Sequence, residues 1–472
     1  MPKFSSLSAL QTALRAGTTS VRAVVQYYLS QIEKQQALNA YVEVWADEAL
    51  AQADALDFRL RQKESPGKLF GAVVSLKDNI CYAGHQVTAA SKILEGFTSL
   101  YSATAVERIL AEDAIIIGRT NCDQFGMGSS NENSVYGPVR NAAAPDRVPG
   151  GSSGGAAVSV QADTCLVAMG SDTGGSIRQP AAFCGLWGFK PSYGCISRHG
   201  LIAYGSSFDQ IGFLANNPED IARFLEVCAG PDAYDSTSAE FRVRSTEYRE
   251  GSCRIAWIPE VFEHPGMDAG VRVVLQNYLE KLRVAGHLLT PVELPKMGSG
   301  TLLDYLVPTY YVLTTAEASS NLARYDGVRY GYRASGAKNL EETYRLTRTE
   351  GFSDEVKRRI LLGTFVLSSG YYDAYYQKAQ QVRRLIQEQT LAILQNHDFL
   401  LMPVSPTVAW PIGEKSDNPV AMYLADIFTV QANLAGVPAL ALPAGAHPEN
   451  GLPVGVQFMA GLGGDGKLLG AF

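Results

Sequence analysis

No two of the seven cysteines stand in CxxC spacing, and their number is odd. That disfavours a disulfide framework or a thiolate zinc site and favours reduced, mostly buried thiols in a cytoplasmic protein. The six histidines are scattered, with no HxxxH pair to suggest an imidazole metal site. No apolar run approaches the ~18 residues that a membrane span requires. The opening stretch MPKFSSLSALQTALRAG lacks the long apolar core of a secretory signal. Positive charge is in short supply: 40 Lys and Arg face 47 Asp and Glu, for a net charge of −7. A chain of that balance is a poor candidate for gripping nucleic acid by itself. Repeats and a clear linker are also missing, so residues 1–472 read as one large domain.

What is present is alternation of short apolar runs with amphipathic ones. Val21, Val24, Val25, Tyr28, Leu29 and Ile32 share one helical face, with Thr18, Thr19 and Ser20 ahead of them as cap hydroxyls. A second helix is expected near 45–63. LFGAVVSLKDN reads as a buried strand ending on Lys77, Asp78 and Asn79, and AIIIGRTN as another. Between them, Ser102 is expected to cap a helix running through Leu110. The pattern predicts an α/β fold, a central mixed sheet covered by helices on both faces. Three stretches follow from it: about 70–215, rich in Gly, Ser and Asn loops; about 217–395, mainly helical; and about 396–472, where FLLMPV, ALALPAG and LPVGVQF return to the sheet.

The stretch MGSDTGGSIRQP places Ser176 after two glycines. A serine nucleophile needs a base, yet the flanking histidines in sequence are only His85 and His199. Three pieces stand out: Lys77 at its strand end, PGGSSGG at 149–155 and SDTGGS at 171–176. Each has a plain alternative: a solvated lysine, a turn leading into a helix, a loop hydroxyl. A Walker phosphate loop fails, because Gly155 is followed by Ala156 rather than Lys. Gly150 to Gly154 also fits a GxSxG elbow, but that motif needs a later Asp and His. His447, in a turn-like PEN setting, is the only late candidate.

Taken together and in order, these pieces resemble the amidase signature family. The match continues through CGLWGFKPSYGCISRHGL and SFDQIGFLA and effectively covers the chain. The resemblance implies a single amidase-signature domain with its catalytic segment in 70–215. It implies Ser176 as nucleophile, Ser152 as a bridging hydroxyl behind a cis peptide, and Lys77 as base. The amides of Thr173, Gly174 and Gly175, with that of Ser176, would form the oxyanion hole. The chemistry is coherent. At an ordinary pKa of ~10.4, lysine is almost wholly protonated near neutrality, and burial can lower it by ~3 to 5 units. The run AVVSL supplies the apolar setting.

Within that family, NENSVYGPVRN, PTYYVLTTAEASSNLARYDGVRYG, EGFSDEVKRRILLGTFVLSSGYYDAYYQKAQQVR and DIFTVQANLAGVPALALPAG are similar to the A-subunit branch of the glutamyl/aspartyl-tRNA amidotransferases. This implies a glutaminase that supplies ammonia to a B subunit. That partner, a tRNA-binding kinase and transamidase using ATP and Mg2+, would amidate Glu-tRNA(Gln) or Asp-tRNA(Asn). A small C subunit would complete a heterotrimer. No cofactor, metal or membrane is expected in this chain, and tRNA would be held mainly by the partner. Positions matching the branch's glutamine-binding residues are Tyr310, Arg359 and Asp426, with Tyr311 and Arg358 as adjacent alternatives. An arginine fork, a carboxylate and a hydrogen-bonding aromatic suit a free amino acid. NCDQFGMGSSNE departs from the branch at Cys122 and Gln124, where Met and Glu are commoner, and is expected to line the glutamine pocket or the start of the ammonia route. A final helix common in the family is expected to be short or absent. A stand-alone amidase on a small or fatty amide, and a non-catalytic scaffold, are the competing readings.

Overall fold

In the computed structural model, which describes residues 4–241, 243, 251–415 and 418–472, the buried apolar runs become strands. They are β1 (Tyr41–Val44), β2 (Val73–Lys77), β3 (Ile115–Thr120), β4 (Val167–Asp172), β5 (Trp187–Lys190), β6 (Gln210–Ala215), β7 (Arg254–Trp257), β8 (Leu288–Pro291), β9 (Lys296–Met297), β10 (Gly300–Thr301), β11 (Phe399–Pro403), β12 (Ala439–Ala446) and β13 (Pro453–Met459). β9 and β10 form a small hairpin. The others make one sheet in the order β1-β3-β2-β4-β6-β5-β12-β13-β11-β7-β8. β2 runs parallel to β3 and β4, while β4–β6, β5–β6 and β12–β13 are antiparallel, so the sheet is mixed.

Every residue of β2, β3, β4 and β6 is buried. Strands buried throughout, rather than alternating, need cover on both faces. Helices supply it: Gly154–Gln161 packs on β2 and β4, Arg178–Cys184 on β5 and β13, and Ala46–Arg61 on β3. No helix of the described residues is long and apolar enough to cross a membrane. The seven cysteines are buried thiols.

The helix expected from Val21 spans Val21–Lys34, and Ser20 accepts from Ala23 N as its cap. Ser102 does not cap. Its helix begins at Thr104 with Ala103 at the cap position, and the Ser102 hydroxyl instead accepts from Ala83 N. Ser153 likewise precedes the helix at 154 without capping it, because its hydroxyl is used elsewhere. The chain ends in a six-residue helix, Asp465–Gly470.

Candidate active site

Lys77 ends the third strand of the sheet, flanked by β3 and β4, and is completely buried. Its Nζ donates to Ser152 Oγ at 2.7 Å, Ser171 Oγ at 2.9 Å and Ser153 Oγ at 3.0 Å. Only neutral oxygens surround the ammonium at contact distance. Burial, partly offset by more distant acidic groups such as Asp123 and Asp172, pushes its pKa down to about 8. Some tenth of the population is then neutral near pH 7, by the ordinary titration relation. Ser152 follows a cis peptide from Gly151, whose N–H donates to Gln179 Oε1 at 2.9 Å.

The loop after β4 carries Thr173 to Ser176. Asp172, at the strand end, is fully buried. Burial alone acts to raise its pKa, but the charge and hydrogen bonds of Arg178 outweigh that and hold it at about 2. Its Oδ1 accepts from Gly175 N at 2.9 Å and its Oδ2 from Ile177 N at 3.2 Å. The Gly175 amide therefore departs from the sequence expectation: it is engaged by Asp172 rather than presented to a substrate. The amides of Gly174 and Ser176 have no hydrogen-bond partner among the described residues. Both glycines are sterically required. A Cβ on Gly174 would lie 2.5 Å from the Tyr310 hydroxyl, and one on Gly175, at φ +129°, would lie 2.3 Å from Thr429 Oγ1. Thr173 Oγ1 donates to Asp209 at 2.6 Å, and Thr429 Oγ1 donates to Gly174 O at 2.6 Å. The loop is thus clamped from both sides.

Ser176 adjoins the loop that carries Ser152. Ser153 N donates to Ser176 O at 3.1 Å, stitching the two loops together. The Ser176 hydroxyl makes no hydrogen bond to a described residue, so the link from Ser152 to Ser176 is not closed here. Such contacts often tighten only around substrate.

A cleft of about 500 Å³ opens next to this centre, lined by Asp123, Ser130, Glu355, Arg358, Arg359 and Tyr423 among others. Arg359 is the inward arginine. Its Nε donates to Glu355 at 2.7 Å, its Nη1 to the Tyr204 hydroxyl at 2.8 Å, and its guanidinium lies over the rings of Tyr204, Tyr311 and Tyr423. Arg358 points outward and pairs with Glu355. Asp426 is buried behind Ser129, whose hydroxyl reaches both carboxylate oxygens at 2.9 and 2.8 Å. Burial pushes its pKa up to about 7, against the pull of Ser129 and of Arg359's charge. Tyr310 packs its ring on Phe208 and Tyr311 with its hydroxyl end over Gly174, whereas Tyr311 reaches Asp426 at 3.5 Å. Tyr311 rather than Tyr310 is thus the tyrosine in reach of Asp426.

Of the segment around Cys122, Asp123, Met127, Gly128, Ser130 and Glu132 line the cleft. Gln124 does not. Its Oε1 accepts from Ser353 N and so anchors the helix Asp354–Val366 that bears Arg359. His447 is remote in role, paired to Asp268 at 2.8 Å. Among the described residues, no group of three or more His, Cys, Asp or Glu is arranged to hold a metal ion.

A model of the amidase family matches residues 23–469. The chain belongs to the amidase family. This amidase is 50% identical to the A subunit of glutamyl-tRNA(Gln) amidotransferase from Chlorobium phaeobacteroides strain BS1, over 99% of this chain and 97% of that one. It is also 50% identical to the protein of that name from Prosthecochloris aestuarii, over 99% and 98% of the two chains. Among solved structures, the A subunit of glutamyl-tRNA(Gln) amidotransferase from Thermotoga maritima is 38% identical with a TM-score of 0.77, covering 96% of this amidase and 90% of that chain.

Proposed function

We propose that this amidase is the glutaminase component of a glutamyl-tRNA(Gln) amidotransferase. It would hydrolyse glutamine and pass the ammonia to a B subunit that, with ATP and Mg2+, amidates the mischarged tRNA. A small C subunit completes the cytoplasmic heterotrimer. Asp-tRNA(Asn) is a second acceptor for the same chemistry. The observation that carries the substrate is that Arg359 and Asp426 both meet Tyr311, with Asp426 tied through Thr429 to the serine loop. A buried arginine and a carboxylate held near pH 7 by burial match the α-carboxylate and α-ammonium of a free amino acid. A neutral fatty or aryl amide offers the Asp426 carboxylate no cationic partner and leaves Arg359 only its contacts to Glu355 and Tyr204, and burying an incompletely paired charge is costly.

The buried Lys77–Ser152 contact and the free amides of the Ser176 loop support the following roles. Neutral Lys77 draws a proton from Ser152, which takes one from Ser176. Ser176 attacks the carboxamide carbon of glutamine. The amides of Gly174 and Ser176, with Thr173 alongside, receive the developing oxyanion, and losing one such donor typically costs about 3 to 4 kcal/mol. Ammonia departs with a proton returned through Ser152, and water then releases glutamate from the acyl-enzyme. The test is a paired assay in the assembled enzyme. Ser176→Ala should abolish glutamine-driven transamidation and leave ammonium-driven transamidation intact. Loss of both together would sink the reading.

A further inference from the structure

The helix Asp354–Val366 obeys the ordinary rule of surface helices over its first turns and reverses it over its last. Val356, Arg359, Gly363 and Val366 face inward, with Gly363 set so close to the helix Leu302–Asn321 that a Cβ would lie on Thr315 O. The outward side begins charged, with Asp354, Lys357 and Arg358. It then turns apolar: Leu361 is 70% exposed, and Leu362 and Phe365 more than 40%. A surface helix normally places polar residues there. After the turn at Gly370 the chain enters a π-helical stretch, Tyr372–Gln377, with no buried residue. Tyr371, Tyr372 and Tyr375 are exposed beside the same face. From Ile360 to Gln377 the only charged residue is Asp373.

The face is organised as well as exposed. The ring of Phe365 packs on Tyr371 at 4.3 Å and on Tyr375 at 5.9 Å, centroid to centroid. Rings already held together lose little freedom when a partner covers them. Aromatic enrichment with charge depletion is the composition of a buried interface core, not of free surface. Contiguous apolar patches of this kind mark association sites.

We propose that the face formed by Leu361, Leu362, Phe365, Tyr371, Tyr372 and Tyr375 is the seat of the ammonia-accepting subunit. The assignment rests on the glutaminase reading above. Its argument is continuity with the cleft. Arg358 lines the cleft, and Leu361 and Leu362 lie three and four residues further along the same helix, so the rim of the cleft and the apolar face adjoin. A partner seated there stands at the cleft, where ammonia can pass to it rather than disperse. A second copy of this chain would set one glutamine cleft against another with no acceptor between them.

The test uses the full chain with the recombinant B and C subunits of its source, followed by sedimentation. The double variant Leu361→Glu/Phe365→Glu should stay folded with only a small drop in unfolding temperature, since Leu361 is exposed and the Phe365 ring packs only on the surface rings of Tyr371 and Tyr375. It should bind the partner roughly 100-fold more weakly, as for loss of interface anchors. Unchanged affinity overturns the proposal. So does a parent chain that forms a homodimer through this face, lost in the double variant. A parent that binds neither partner overturns the glutaminase reading itself, and this one with it. Should the double variant fail to fold, hydrogen exchange on the parent decides. Assembly should protect residues 360–377, and unaltered exchange there rejects the surface.

Discussion

The Tyr204 hydroxyl accepts a hydrogen bond from Arg359 Nη1 at 2.8 Å, and the same guanidinium lies 5.6 Å above the Tyr204 ring. Tyr204 N donates to Asp209, which also receives Thr173 Oγ1. One tyrosine thus joins the arginine that would read the substrate carboxylate to the loop that carries Ser176. Tyr204→Phe removes the hydroxyl and keeps the ring. It should raise KM for glutamine about 10- to 150-fold, the effect of one charged hydrogen bond, with kcat within about twofold. Steady-state ammonia release measures both. A fall in kcat alone would show that Tyr204 acts on the loop and not on Arg359.

The pH profile should carry the signature of Lys77. With its pKa near 8, kcat/KM for glutamine hydrolysis should rise with pH and level off above about 8. Lys77→Met should lower it at least 1000-fold, the scale of a lost general base. An independent check is thermal unfolding. The folded pKa lies below the unfolded one, so the buried ammonium weakens the native state below pH 8, and that penalty is relieved as pH rises toward 10.5. The parent should therefore gain stability relative to Lys77→Met over that range. Parallel curves would place the amine in an ordinary, hydrated setting.

Asp426 sets a second pH dependence with the opposite charge sign. Its carboxyl is negative only above about pH 7, so KM for glutamine should climb as pH falls through neutrality. Asp426→Asn should raise KM at pH 8 by about 30-fold or more, the penalty for unpairing one buried partner of a charge pair, and flatten that climb. A KM indifferent to both changes would remove Asp426 from the ammonium site.

Gly175→Ala forces a side chain into the space of Thr429 at a backbone angle of φ +129°. Strain of that kind costs on the order of 1 to 3 kcal/mol. The variant should lower the unfolding temperature and, by shifting the loop, reduce kcat by more than tenfold. Gly451→Ala, also at positive φ but with open space around its Cβ, is the control for backbone strain alone. Equal behaviour of the two would mean that Thr429 yields easily.

How far the site could be read beforehand depended on the separation of its parts. Lys77 was legible because it closes a short, mainly apolar run, VVSL, that reads as a buried strand. Helical phase puts Arg359 rather than Arg358 on the packed side, which Val356, Gly363 and Val366 share. Ser102 misled, since it has the composition of a cap while its hydroxyl accepts from Ala83 N. Gly175 misled for a related reason. A glycine amide in such a loop looks available until the preceding Asp172 is seen folding back on it. Ser129 and Tyr204 carried no local signal at all. Their partners lie 297 and 155 residues away, and only the closed sheet brings them into reach.

Arg178 exposes a further cost of that closure. Its guanidinium is spent on Asp172 from the first half of the polypeptide and on Thr429 O, Asn433 and Gln457 from its last fifth. A protease fragment ending between residues 178 and 428 would retain every hydroxyl and amine of the proton relay, yet strip an interior cation of every hydrogen-bond partner but Asp172. The chemistry is therefore not a transplantable cassette, and reassembly of two cleaved halves would have to restore that single junction before either could work.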